Sequence, residues 1–296
     1  MRDFRWPPPP GSGPNTYGPG PTGPHSGRPL LPQPETAMLT TPHGVDLEYL
    51  VTGSGEPVTV FAHGLGNGIA ETRPLGSAVD GRRVFFQFRG HGRSSAPEGR
   101  WTYADLARDL RAVADLTGAT RALGVSLGAG VLCRALADDP RRFDRVVFYL
   151  PAVLDKPREK PARERLISLL AAIETGDAGE VASVLAQEIP ANLRNTPTGW
   201  AYLRQRVEQL MNDGLAPGLA SLPDEVPVDD RTALSDVTAD ALVIGCRGDE
   251  LHPASVAEEL AEVLPKSSLH IYDRPGVLWT QRGDLRDRIA GFLNVP

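Results

Sequence analysis

Residues 124–128 read Gly124-Val125-Ser126-Leu127-Gly128, a G-x-S-x-G pattern. A serine at the centre of this pattern has the chemistry of an acyl-transfer nucleophile, provided it stands on a sharp turn between a strand and a helix. Such a turn strains the serine backbone, and the small flanking glycines let it close. The hydroxyl then sits at a helix N-terminus, whose dipole favours a nearby oxyanion. Upstream, His63-Gly64-Leu65-Gly66 is a turn able to aim a backbone N–H at the same place. The N–H of Leu65 and that of Leu127 would form an oxyanion hole. Downstream, Gly248-Asp249-Glu250 supplies a carboxylate in the order serine then acid.

The elements that must position these groups are legible from pattern. Val45–Val51 and Pro57–Ala62 read as strands joined by the turn Gly53-Ser54-Gly55, and Arg83–Phe88 as a further strand. Arg121–Val125 is a strand ending at Ser126, and Leu127–Ala137 is helical, so the serine has the context it needs. Leu106, Leu110, Val113 and Leu116 have the spacing of one helix face within Tyr103–Leu116. Val146–Leu150, Ala241–Cys246 and Leu269–Tyr272 are strands, with helices at Pro253–Leu264 and about Asp284–Leu293. This alternation predicts a mainly parallel sheet covered on both faces, with ligands beyond the carboxyl ends of its strands. Residues 155–236 break the alternation. They hold the helical patterns Arg163–Glu174, Glu180–Glu188 and Trp200–Asn212 and no strand, and are read as an inserted helical cap.

Composition bounds the rest. Of the first 34 residues, 11 are proline and 6 glycine, so residues 1–37 are expected to form a disordered tail, with Met38 as an alternative start. No apolar run follows Arg2 and Arg5, which argues against a signal peptide. The folded remainder divides into a core, 38–154 and 237–296, and the cap. No apolar run reaches the length of about 18 residues that a membrane span needs. A net charge of −6 argues against nucleic acid as a partner. Cys133 and Cys246 make neither a disulfide framework nor a zinc cluster and suit a reducing, cytoplasmic setting. No cofactor and no metal is expected. The expected partner is a small-molecule or peptide substrate, and the oligomeric state is left open.

With His63-Gly64, the Arg89-Gly90-His91-Gly92-Arg93-Ser94 turn, the elbow at Ser126, and Gly248-Asp249 ahead of Pro253, residues 45–293 resemble the α/β-hydrolase superfamily. The resemblance implies a mainly parallel eight-stranded sheet with helices on both faces and an inserted helical cap. It also implies Ser126 as nucleophile and Asp249 as triad acid. In that superfamily the base is a histidine after the last strand, and here that position holds Val277, with no histidine from there to Pro296. The strand before Arg89 usually ends in an aspartate, and here the place holds Gln87.

Among the six histidines, His252 is the one candidate substitute base. Its position directly before Pro253 gives it the ordinary work of capping or packing a helix start, so the triad is read as broken. His63, Gly64, Trp200 and Trp279 are the other candidate pocket residues. The loop from Asp273 to Trp279 resembles an atypical group of α/β-hydrolase-fold proteins that includes the bottromycin peptide epimerase. That resemblance implies non-hydrolytic proton transfer on a peptide or natural product, which needs no acyl-enzyme. The alternatives are a serine ester hydrolase with a displaced base, and a binding protein that has lost turnover.

Overall fold

The computed structural model describes residues 35–213, 215 and 217–295. Its eight strands are β1 (Ala37–Thr40), β2 (Asp46–Thr52), β3 (Val58–Ala62), β4 (Arg82–Phe86), β5 (Arg121–Val125), β6 (Arg145–Tyr149), β7 (Asp240–Cys246) and β8 (Ser267–Tyr272). The helices are α1 (Ile69–Thr72), α2 (Tyr103–Thr117), α3 (Leu127–Asp138), α4 (Lys160–Thr175), α5 (Ala178–Leu185), α6 (Ala191–Arg194), α7 (Pro197–Asp213), α8 (Ala254–Val263), α9 (Val277–Thr280) and α10 (Arg282–Leu293).

The strands form one sheet in the order β1-β2-β4-β3-β5-β6-β7-β8, antiparallel at β1–β2 and β2–β4 and parallel from β4 onward. The Gly53-Ser54-Gly55 turn therefore joins strands that are not neighbours, because β4 inserts between β2 and β3. The tail expected over 1–37 falls outside the described residues as far as position 34. Its last residue, Ala37, already belongs to β1. That strand is four residues long and mostly exposed, so it carries no apolar alternation to read.

The period-two alternation of a strand divides the core into two layers. Val60, Val84, Ala122, Val146, Phe148 and Val243 face the layer covered by α2, α3 and α8. Phe61, Phe85, Leu123, Val147, Tyr149 and Ile244 face the layer covered by α10 and the Arg73–Gly76 turn. Both sides of each central strand are buried, which is why these strands read as continuous apolar runs. Helix α2 begins on a reciprocal cap. Thr102 Oγ1 accepts the Asp105 N–H, and Asp105 Oδ2 accepts the Thr102 N–H at 3.0 Å.

Between β6 and β7 the chain is helical and contains no strand among the described residues. Its helices have their own small core of Leu169, Ile173, Val181, Leu185, Val207 and Leu210. This insertion touches the sheet domain beside the carboxyl ends of the strands. A Cβ on Gly66 would lie 2.9 Å from Leu210, and one on Gly276 would lie 2.3 Å from Pro190.

Candidate active site

Strands β3 and β5 are neighbours, yet the chain leaves β3 toward β4 on one side and β5 toward β6 on the other. This is the switch point of the sheet, where the loops part and leave a crevice. Ser126 stands at the end of β5 and the His63-Gly64 turn at the end of β3. The serine backbone lies in the left-handed half of φ/ψ space, at φ 51° and ψ −106°. A non-glycine residue there stores strain, and the surroundings must over-determine it. Ser126 N–H donates to Tyr149 O at 3.0 Å, and Ser126 O accepts the N–H groups of Ala129 and Gly130 at 3.0 and 3.1 Å.

The glycines of the elbow are there for backbone contact. A Cβ on Gly124 would lie 2.3 Å from Gly128 O, and one on Gly128 would lie 2.3 Å from Ala62 O. No side chain fits at either position, so strand, helix and the neighbouring β3 close up around the serine. Gly64 approaches from the other side, where a Cβ would meet Ser126 Cβ at 3.5 Å. The amides of Leu65, next to Gly64, and Leu127, the first residue of α3, donate to no acceptor among the described residues. Leu127 directly follows Ser126, and Leu65 directly follows Gly64, which lies against it.

A histidine lies beside Ser126 after all. His252 Nε2 lies 2.9 Å from Ser126 Oγ, and His252 Nδ1 lies 3.0 Å from Asp249 Oδ2. A carboxylate only accepts, so Nδ1 carries the proton and Nε2 is free to accept from the serine hydroxyl. Asp249 Oδ1 accepts the N–H groups of Leu251 and His252 at 3.0 and 3.1 Å. Burial works against ionisation of Asp249. The His252 hydrogen bond and charge and the two amides outweigh burial, and they hold the carboxyl below its usual range.

The capping or packing role read for His252 is therefore corrected. The residue before a proline is pushed to extended backbone, and the helix start falls on Pro253 and Ala254 instead. His252 stays in the loop after β7, three residues from the acid and on the same turn. The position where a base was sought is occupied differently. Val277 is 3% exposed and packs with Cys246, Tyr272, Leu285 and Ile289 beneath the sheet. Val277→His is accordingly expected to add no activity. It would bury an unpartnered polar ring at about 2–4 kcal/mol, seen as a fall of roughly 5–10 °C in the thermal unfolding midpoint.

His63, a candidate pocket residue, is corrected as well. It is fully buried, with Nδ1 against Gly64 O at 2.8 Å and Nε2 accepting the Phe88 N–H at 3.0 Å. Both ring nitrogens are spent on backbone, so the ring ties the turn after β3 to the segment after β4 and offers nothing to a ligand. Its neighbour His91 accepts the Gly66 N–H at 3.1 Å through Nε2. Desolvation pushes the His91 ring down to about 4, against hydrogen bonds to Arg89 and Phe88. Desolvation, aided by the nearby His91 and Arg206, holds His63 well below the usual histidine range.

Trp279 is half-buried, its ring meeting Tyr202 edge-on with centroids 4.9 Å apart, so it bridges the last loop and α7. Trp200 lies on α7 with the Arg204 guanidinium 5.6 Å from its ring centroid. Gln87, where an aspartate was expected, packs its amide against Gly68 and Gly92.

Two residues that sequence reading passed over belong to the same crevice. Arg206 of α7 is 4% exposed, with Nη1 on Gln209 Oε1 at 2.8 Å and 3.6 Å from Glu71. Glu188 keeps contact with solvent, yet the protein around it strips away enough water to push its carboxyl up. The Asp249 charge adds to that, while Arg206, Arg165 and His252 oppose it. A charge on a helix reads as solvated surface, so neither residue had a signal. Cys246 is not a rival nucleophile, since desolvation and the Asp249 charge push its thiol up to about 11.

Similarity to known proteins agrees with this architecture. A family model described as alpha/beta hydrolase fold matches residues 57–276. A protein of Variovorax paradoxus strain S110 named as a carbamate hydrolase, RutD, is 32% identical over 247 residues, covering 78% of this chain and 88% of that one. An esterase from Exiguobacterium antarcticum superposes with a TM-score of 0.72 at 17% identity, over 88% of this chain and all of its own. The enol-lactonase of Burkholderia xenovorans LB400 superposes with a TM-score of 0.71 at 20% identity, over 88% and 100% of the two chains. At such identities these structures speak for the fold alone. The matched family model extends from the start of β3 to Gly276, across the elbow and the acid loop, and the chain belongs to the alpha/beta hydrolase fold family.

Proposed function

We propose that this protein is a serine hydrolase that cleaves a carboxylic ester or carbamate bond through an acyl-enzyme. The observation that carries the reading is the chain of hydrogen bonds Ser126–His252–Asp249, at 2.9 and 3.0 Å. His252 Nε2 takes the proton as Ser126 Oγ attacks the carbonyl carbon, and the amides of Leu65 and Leu127 stabilise the oxyanion. The ring then delivers that proton to the leaving oxygen or nitrogen. Water repeats the sequence to release the acid. Asp249 keeps the ring in the tautomer this requires. The carbamate hydrolase name of the relative supports a small acyl substrate, and the helical insertion beside the crevice supports a pocket that excludes bulk water. Epimerase-like proton transfer was read from the resemblance of the Asp273–Trp279 loop together with a missing base, and the hydrogen bond from His252 to Ser126 favours the hydrolase reading over it.

The test is reaction with a fluorophosphonate followed by mass spectrometry. One adduct per chain is expected at Ser126, at the rate of an active serine hydrolase, and none in Ser126→Ala. An unlabelled protein that exchanges solvent deuterium into a peptide α-position would overturn the hydrolase reading.

A further inference from the structure

A cavity lined by none of the residues around Ser126 opens beside β4. Its volume is about 670 Å³, and it lies between the end of β2, strand β4, the α1–Gly76 segment and the first turn of α10. That size is within the range of small-molecule sites. Four arginines line it, Arg73, Arg83, Arg282 and Arg286, and no acidic residue does. This is notable in a chain with 37 acidic against 31 basic residues. Elsewhere its arginines are mostly matched: Arg134 with Asp138, Arg142 with Asp115, Arg231 with Asp155 and Glu259.

In the cavity the matching stops. Arg286 donates through Nε and Nη2 to Asp287 at 2.9 and 2.8 Å. Arg73, Arg83 and Arg282 have no carboxylate partner among the described residues. Arg83 Nη1 is held on Gly76 O at 3.3 Å, and its Nε is buried without any partner. Arg282 and Gly283 are also the first residues of the twelve-residue α10, whose free N–H groups and dipole add to the same field. Beneath the arginines the wall turns apolar, at Phe85, Ala70 and Pro74.

We propose that this cavity is a binding site for a small multivalent oxyanion, a phosphorylated or polycarboxylate molecule whose charged end is held by Arg73, Arg83 and Arg282. Guanidinium forks match phosphate and carboxylate oxygens in pairs, which suits them to this task better than lysines. Ala70 and Pro74 give the lining an apolar part beside the charge. The proposal is independent of the hydrolytic reading, since no residue is shared with the serine site.

Isothermal titration of the full chain at low salt with pyrophosphate, ADP and citrate tests it. Saturable binding of one anion per chain is expected for at least one of the three, with Kd below about 1 mM. Tighter binding of ADP than of pyrophosphate would show that the apolar wall is used. Citrate binding alone would mark a polycarboxylate site. The double variant Arg73→Gln/Arg282→Gln removes two exposed side chains, so folding should be kept. It is expected to weaken binding at least tenfold, while Arg134→Gln leaves binding unchanged. Absence of binding by all three probes below that concentration would overturn the proposal, as would a double variant that binds like the wild type.

Discussion

Replacing His252 by alanine is expected to lower kcat for ester hydrolysis by about 10⁴-fold or more, close to the loss from Ser126→Ala. The reason is geometric. His252 Nε2 is the acceptor 2.9 Å from Ser126 Oγ, and no other histidine ring is within reach of that oxygen among the described residues. Groups that act as a unit are not additive, so the double variant should be no slower than either single one. Asp249→Asn should cost about 10⁴-fold, because an amide at that place favours the wrong ring tautomer. KM should move little, since none of these groups is placed to hold the substrate before Ser126 attacks it. Steady-state kinetics on a chromogenic short-chain ester give the answer. A His252→Ala enzyme within tenfold of wild type would remove His252 from the reaction and reopen the search for a base.

The second large effect is a loss of stability in mild acid. His91 titrates at about 4 in the folded protein, against about 6.5 when unfolded. Between those values the unfolded chain holds a proton that the folded chain lacks, so protonation draws the equilibrium toward unfolding. The stability is fully present above pH 6.5 and is lost as pH falls toward 4. One proton corresponds to about 1.4 kcal/mol per pH unit, so His91 alone contributes roughly 3 kcal/mol across the window. His63, fully buried and lowered for the same reason, acts in the same direction. The lowered carboxylates, Asp249, Glu48 and Asp105, add their own loss at lower pH, as each is protonated.

Urea unfolding at several pH values between 7 and 4.5 measures the slope. His91→Gln, whose side-chain oxygen can still accept the Gly66 N–H, should take up about one proton fewer on unfolding than the wild type. An unchanged slope in the variant would mean that His91 is not the group responsible. The same bond holds Gly66, which follows Leu65 in the turn after β3.

Much of this protein can be read from its residues in order. The apolar runs of β3 through β7 are strands because both of their faces are buried, and the spacing of α2 marks one helix face. Ser126 with Gly124 and Gly128 is a local device, since a short strand–serine–helix pattern carries its own steric reason. Arg121–Val125 is recovered residue for residue. Strand order is different in kind. That β4 inserts between β2 and β3, and that β1 forms an edge at all, depends on pairing between segments distant in sequence, and the exposed pattern of β1 carries no trace of it.

The base shows the limit most clearly. Composition and motif place Ser126 and Asp249, and a search for the third member after the last strand meets Val277. Whether His252 reaches Ser126 is a question about two loops separated by 126 positions and two strand widths of sheet. It is decided by the turn that Asp249 makes on the amides of Leu251 and His252, and by Pro253, which keeps His252 out of the following helix. Residue types along the chain marked Ser126 and Asp249 as the candidate nucleophile and acid. Only the tertiary fold decided that His252 meets Ser126, because a hydrogen bond forms between atoms brought within about 3 Å and sequence separation places no bound on that distance.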